Sequence, residues 1–222
     1  MRVLKCAVAA SLALIAVMVG IAQQSQPSLY ESLRAFDQEH DVAEKEYRLG
    51  EELVKRYPRS GSALLKLAET TLHVDTRWMS MRGMRELHYL GCERFLKNSL
   101  KDSNAVVRAN AARVLGDLGF KDAEQNLLNM FAAESDPGAV EQASLALRML
   151  EAKRAVPYIR EKIPNYTWQT RGWLLQALGS LGDKSDVPLL AGYLDNSDKA
   201  TAQDAPLALW TAQNRPREFT HI

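Results

Sequence analysis

Apolar residues recur along this chain in a five-point pattern that returns every 31 or 32 positions. Met84, Leu87, Cys92, Leu96 and Leu100 are followed by Leu115, Leu118, Ala123, Leu127 and Phe131. Leu147, Leu150, Ala155, Ile159 and Ile163 come next, then Leu178, Leu181, Asp186, Leu190 and Leu194. A half-copy places Leu209 and Ala212. Steps of 3, 5, 4 and 4 within a copy describe one helical stripe, a tight turn and a second helical stripe. The pattern is sharpest at Leu115-Gly116-Asp117-Leu118-Gly119, which returns 63 positions later as Leu178-Gly179-Ser180-Leu181-Gly182. A hairpin of this size cannot fold alone: each buried CH₂ contributes about 0.8 kcal/mol, while ordering a residue costs about 1–2 kcal/mol. Neighbouring hairpins must supply the missing wall. The prediction is an all-α, right-handed α-solenoid of about four and a half repeats over residues 76–213.

Turn residues are consistent with that frame. Gly119 and Gly182 stand where a first helix should end, and are expected to take the left-handed conformation there. Gly116 and Gly179 let a neighbouring helix approach. Asp122 and Asp186 are expected to cap second helices, with Pro157 and Pro188 in their first turns. Asp136-Pro137 reads as a cap and first helical residue. Upstream, residues 29–36 and 42–57 carry helical spacing, and Pro58, Ser60 and Gly61 break it. Ser62 is then the expected cap of a helix burying Leu64, Leu65, Leu67, Ala68 and Leu72. Residues 23–75 are read as helices closing one end of the stack, and 214–222 as a tail.

Asp102, Val107, Arg108, Ala111, Ala112, Leu115, Gly116, Leu118, Gly119 and Ala123 resemble the HEAT-repeat family, in the short form also found in phycobilin lyases. Ala155-Val156-Pro157-Tyr158-Ile159 and Val187-Pro188-Leu189-Leu190 are similar to its second helix. The resemblance implies an aspartate–arginine ladder between repeats, six residues apart. Asp102 and Arg108 fit, Asn165 and Arg171 fit in part, and Glu134 and Val140 do not, so the expected ladder is broken. Tyr57-Pro58 followed by Leu64, Leu67 and Ala68 resembles a tetratricopeptide helix junction.

Composition narrows the setting. The chain has 222 residues, 46% hydrophobic and 25% charged, which suits a folded core. Arg2 and Lys5, the uncharged run Ala7–Val19 and the small residues Gly20 and Ala22 read as a secretory leader over 1–22. An uncleaved anchor is the alternative. The expectation is an exported protein, periplasmic or extracellular, with no membrane contact once the leader is removed. The net charge of +1 becomes −1 without the leader, which offers no global basic surface to nucleic acid. Cys6 falls in the leader and Cys92 is then alone, so no internal disulfide is expected.

Candidate chemistry is sparse. Asp37, Glu39, His40 and Asp41 cluster without a calcium-loop glycine and read as a solvated helix end. His73, His88 and His221 lack metal-ligand spacing. Cys92 with His88 four residues earlier has the form of a nucleophile and base, but alanine fills its column elsewhere. No catalytic residue, metal or cofactor is expected. Arg77, Arg82, Arg85, Arg94, Lys97 and Lys101 outnumber Glu86 and Glu93 in a segment that also holds Trp78 and Tyr89. An acidic protein or a polyanion would suit it. In the resembling family the second helices line the groove. Their outward columns here are Phe95, Asn126, Tyr158 and Leu189, and Asn98, Asn129, Glu161 and Gly192. Aromatics beside amides suit an extended peptide, so Phe95, Asn98, Asn126, Asn129, Tyr158 and Glu161 are the expected binding residues. The expected function is a non-catalytic interaction module for a protein or peptide. The resemblance also leaves a bilin lyase, and the leader a membrane-tethered assembly factor, as alternatives.

Overall fold

The computed structural model describes residues 60–194 and 199–214. The expected leader, the helices expected before residue 58, the Asp37–Asp41 cluster and the tail from 215, with His221, lie outside the described residues. The described chain is an α-solenoid. It runs α1 (Gly61–Thr70), α2 (Val74–Glu86), α3 (Glu93–Ser99), α4 (Ala105–Asp117), α5 (Glu124–Ala133), α6 (Pro137–Met149), α7 (Val156–Lys162), α8 (Trp168–Leu181), α9 (Val187–Ala191) and α10 (Lys199–Asn214). The even-numbered helices are the first helices of successive repeats and stack on one another. Each odd-numbered helix packs against the even-numbered helix that follows it. A single 3-10 turn precedes each of α3, α5, α7 and α9.

The repeating columns form one continuous core. Met84, Leu115, Leu147 and Leu178 are fully buried, as are Leu96, Leu127, Ile159 and Leu190 on the second helices. Leu194, last in its column, is 37% exposed, since α9 is only five residues long and ends before it. The stacking is uneven, and one column shows why. Position 116 and its equivalents read Arg85, Gly116, Arg148, Gly179 and Trp210. A Cβ on Gly116 would lie 2.6 Å from Ala146 Cα, and one on Gly179 would lie 2.4 Å from the Ala208 carbonyl oxygen. The seams α4–α6 and α8–α10 are therefore closed, backbone against backbone. At the seams α2–α4 and α6–α8 the same column holds arginines that reach across, Arg85 Nη1 to Asp117 at 3.4 Å and Arg148 Nη1 to Gln176 at 3.2 Å.

The first helices α2, α4 and α6 end by a shared scheme that α8 does not follow. His88, Gly119 and Glu151 have φ of 48°, 70° and 59°. Beyond each, a backbone N–H returns to the last turn: Tyr89 to Met84, Phe120 to Leu115 and Ala152 to Leu147, at 2.9, 3.0 and 2.9 Å. This is the six-to-one closure that a left-handed residue permits. Gly182 does not take that conformation (φ −68°, ψ −169°), which corrects the expectation for it. Its missing side chain instead admits the carboxylate of Asp186, which would meet a Cβ at 2.3 Å. Asp183 and Asp186 then form a reciprocal capping box around the 3-10 turn.

Other expectations are corrected. Asp122 is exposed inside its 3-10 turn and caps nothing; Ala123 holds the N-cap position of α5. Asp186 sits at the N-cap of α9, but its carboxylate serves the turn before it. Ser62, the expected cap of α1, is instead an exposed residue in its first turn, which Gly61 begins against the Tyr89 ring, and Leu72, expected in its buried stripe, lies past the helix end and is 91% exposed. Asp136 does cap α6, accepting from the Ala139 N–H at 2.9 Å.

Candidate functional site: the second-helix face

Polar side chains bind the loop edge of the stack together. The Arg77 guanidinium donates to Asp102 at 2.7 Å and to the Thr71 carbonyl at 3.1 Å. One repeat on, Arg108 donates to both Glu134 oxygens, at 2.7 and 2.9 Å, and to the Asp102 carbonyl at 2.8 Å. Glu134 thus belongs to the ladder, which corrects its exclusion on spacing. The arginine reaches a carboxylate 26 residues ahead and a carbonyl six residues behind. Val140 supplies no cation for the next step. The Glu134 carbonyl is taken by Lys162 Nζ at 2.8 Å and the Tyr166 hydroxyl at 3.4 Å. Arg171 donates to the Ile163 carbonyl at 3.3 Å and lies over the Tyr193 ring.

These contacts set the local electrostatics. Burial pushes the Glu134 carboxyl upward, but the Arg108 fork and the Asp136 and Ser135 N–H groups outweigh it, holding it below its ordinary value of 4.5. Burial lowers the Lys162 ammonium, whose Nζ sits 5.5 Å from the Phe131 ring centroid. In the 3-10 turn before α7 Arg154 donates to Gln125 at 2.7 Å, and on α7 Arg160 grips the buried Asp186 at 2.6 and 3.0 Å. That grip explains why an acid occupies a column filled by Cys92, Ala123 and Ala155. Cys92 itself is fully buried, donates to the Tyr89 carbonyl, and is pushed up to about 11 by burial. His88 is exposed. The thiol is a core residue held protonated at neutral pH, not an activated nucleophile. Among the described residues, no three His, Cys, Asp or Glu side chains gather as a metal site, and no helix is long and apolar enough to cross a membrane.

The odd-numbered helices stand apart from one another and leave furrows. One furrow, about 640 Å³, lies between α1 and α3 and includes Leu65, Arg94, Phe95 and Asn98. The next, about 450 Å³, lies between α3 and α5. It is floored by Leu100 and Met130 and rimmed by Lys97, Lys101, Asn126, Asn129 and Ala133. The ion-paired Arg108 and Glu134 close its end. Of the expected binding residues, Phe95 and Asn98 thus fall in the first furrow and Asn126 and Asn129 in the second. Tyr158 and Glu161 on α7 belong to neither; both are exposed, Tyr158 to 40%. Leu189 on α9 and Gly192 just past its end are exposed as well. Met130 and Lys101 were not singled out as groove residues from sequence. The signal was available, since Met130 follows the expected groove residue Asn126 by four and Lys101 follows Asn98 by three.

The basic segment of 77–101 is divided between faces. Arg77, Arg85 and Lys97 are ion-paired to Asp102, Asp117 and Glu93. Arg82 lies 5.6 Å from the Trp78 ring centroid, beside a separate cavity of about 380 Å³ on the even-numbered helices. Arg94 and Lys101, both exposed, carry no carboxylate partner among the described residues. Trp173 is half-buried and Trp210 is 63% exposed at the end of the described stack.

Residues 92–163 match the family model described as HEAT repeats. The chain is similar to the crystal structure of an engineered protein, with a TM-score of 0.61 and 15% identity, over 85% of this chain and 97% of that one. At that identity the likeness concerns the fold alone. No curated protein matches the chain.

Proposed function

We propose that this chain, whose residues 92–163 match the family model described as HEAT repeats, is a non-catalytic interaction module that binds a protein or peptide along its odd-numbered helices. HEAT repeats generally mediate protein–protein interaction. The observation that carries the reading is the pair of outward columns. Phe95, Asn126 and Tyr158, and Asn98, Asn129 and Glu161, recur one repeat apart on the face where the helices leave open furrows. An extended chain crossing successive helices would meet an aromatic or amide group at each one, and its main chain would find donors and acceptors in the asparagines. The even-numbered face holds the cavity beside Trp78 and Arg82, but most of its contacts hold the stack together. Gly116, Gly179 and the bridging arginines are spent there on neighbouring repeats.

The experiment is site-specific photocrosslinking in the native host. A crosslinkable residue at Asn129 or Tyr158 is expected to trap a discrete partner, and one at Asn110 on α4 is not. Adducts formed only from Asn110 would overturn the choice of face. We also place the module outside the cytoplasm, on the leader-like residues 1–22. A mature protein beginning at Gln23 is the expected result of N-terminal sequencing, and an intact Met1 in the cytosol would refute it.

A further inference from the structure

We infer that the furrow between α3 and α5 selects an acidic side chain, so that the peptide held on this face is an extended segment carrying Asp or Glu beside an apolar residue. The inference rests on the reading of that face as a peptide site and adds the chemistry of its occupant. Charge within the furrow is unbalanced in one direction. Its acid, Glu134, is buried and bound on both oxygens by Arg108, so this pair cancels itself. Lys97 and Lys101 then stand over the furrow as cations. Lys97 has its carboxylate, Glu93, one turn back on the same helix and outside the furrow lining. Lys101 has none among the described residues.

The remaining lining suits a peptide better than a free ion. The buried Leu100 and Met130 make an apolar floor, with exposed Ala133 at its edge, in a space of about 450 Å³, room for a side chain or two. Asn126 and Asn129, three residues apart on α5, share one helix face at the rim. The Asn129 side-chain oxygen accepts from Gln125 at 2.8 Å, which fixes its amide NH₂ as an outward donor. Asn126 has no such bond among the described residues and offers both donor and acceptor to a peptide unit. A segment lying across α5 would bond its main chain to these amides and set an apolar side chain on the floor. A neighbouring carboxylate would then lie toward Lys101 and Lys97. Complementary charge of this kind selects among partners and speeds encounter more than it adds raw affinity.

The test is selection of a displayed library of random octapeptides on the immobilised full chain. Clones enriched in Asp or Glu next to an apolar residue are expected. The enrichment should vanish on Lys101→Glu and weaken on the milder Lys97→Gln/Lys101→Gln, each checked for an unchanged thermal melt. It should persist on Lys184→Glu, which alters an exposed lysine on the turn before α9. A synthetic peptide from the enriched set should bind Lys101→Glu roughly tenfold more weakly than the parent. Peptides enriched without acidic bias, or with a bias that survives Lys101→Glu, would overturn this inference and leave the peptide face standing. No enrichment over a blank surface would overturn both.

Discussion

Single glycines in this chain answer to different physical demands, and substitution separates them. Gly116 makes room: an added methyl meets the Ala146 backbone at 2.6 Å, which nothing flexible can relieve. Gly116→Ala gains about 1 kcal/mol of helix propensity. It should nonetheless lower stability by about 2 kcal/mol, as overpacked cores do, read by chemical denaturation. Gly119 makes a turn, with open space around it and φ of 70°. The same turn is made by Glu151 at φ 59°, an L residue under strain. Glu151→Gly should therefore raise stability by about 0.5–1 kcal/mol, measured as an upward shift of the denaturation midpoint with unchanged slope. This is also where the sequence was least legible. Left-handed helix ends are visible as glycine only at 119; His88 and Glu151 hide two of them, and Gly182 imitates one while serving the Asp186 carboxylate.

At the scale of the elements, the columns of leucine and alanine were legible because burial repeats wherever a hairpin repeats. The ladder was less so. A six-residue spacing finds the arginine and the carbonyl behind it, but the carboxylate lies 26 residues ahead, and the fold alone brings it near. The expected groove residues were legible as columns, whereas their division between two furrows depends on how far the odd-numbered helices stand apart. The Arg108–Glu134 pair also gives a pH signature. The folded Glu134 carboxyl titrates below its ordinary value of 4.5, so its contribution is present above that value. It is lost as pH falls through the folded pKa. Glu134→Gln should be less stable than the parent at pH 7, and the difference should shrink steadily on acidification from about pH 4.5 downward, followed by urea titrations across that range. A constant difference at all pH values would show that the pair contributes nothing electrostatic. Arg108→Ala should cost about 2–3 kcal/mol at neutral pH, because it leaves a buried carboxylate without its cation.

For the whole molecule, each repeat is stabilised by its neighbours and little else, so the ends govern solubility. α10 covers α8 along the closed seam at Gly179, and Ala205, Ala208 and Ala212 are buried in that contact. A chain ending at Leu194 should expose this face, lower the melting temperature by several degrees and aggregate on concentration, whereas one ending at Asn214 should not. Light scattering beside a thermal melt distinguishes them. Amide exchange should be slowest in α4 and α6, which have neighbours on both sides, and faster toward α10.

The alternation of glycine and arginine along one column has a mechanical consequence. Two seams are locked backbone to backbone, and the two that alternate with them are spanned by long side chains that can lengthen or swing without breaking the stack. Under load the molecule would therefore deform like a strip of rigid double panels joined by compliant strips, yielding at every second joint. A guest on the open face would feel that rhythm as a step of two repeats.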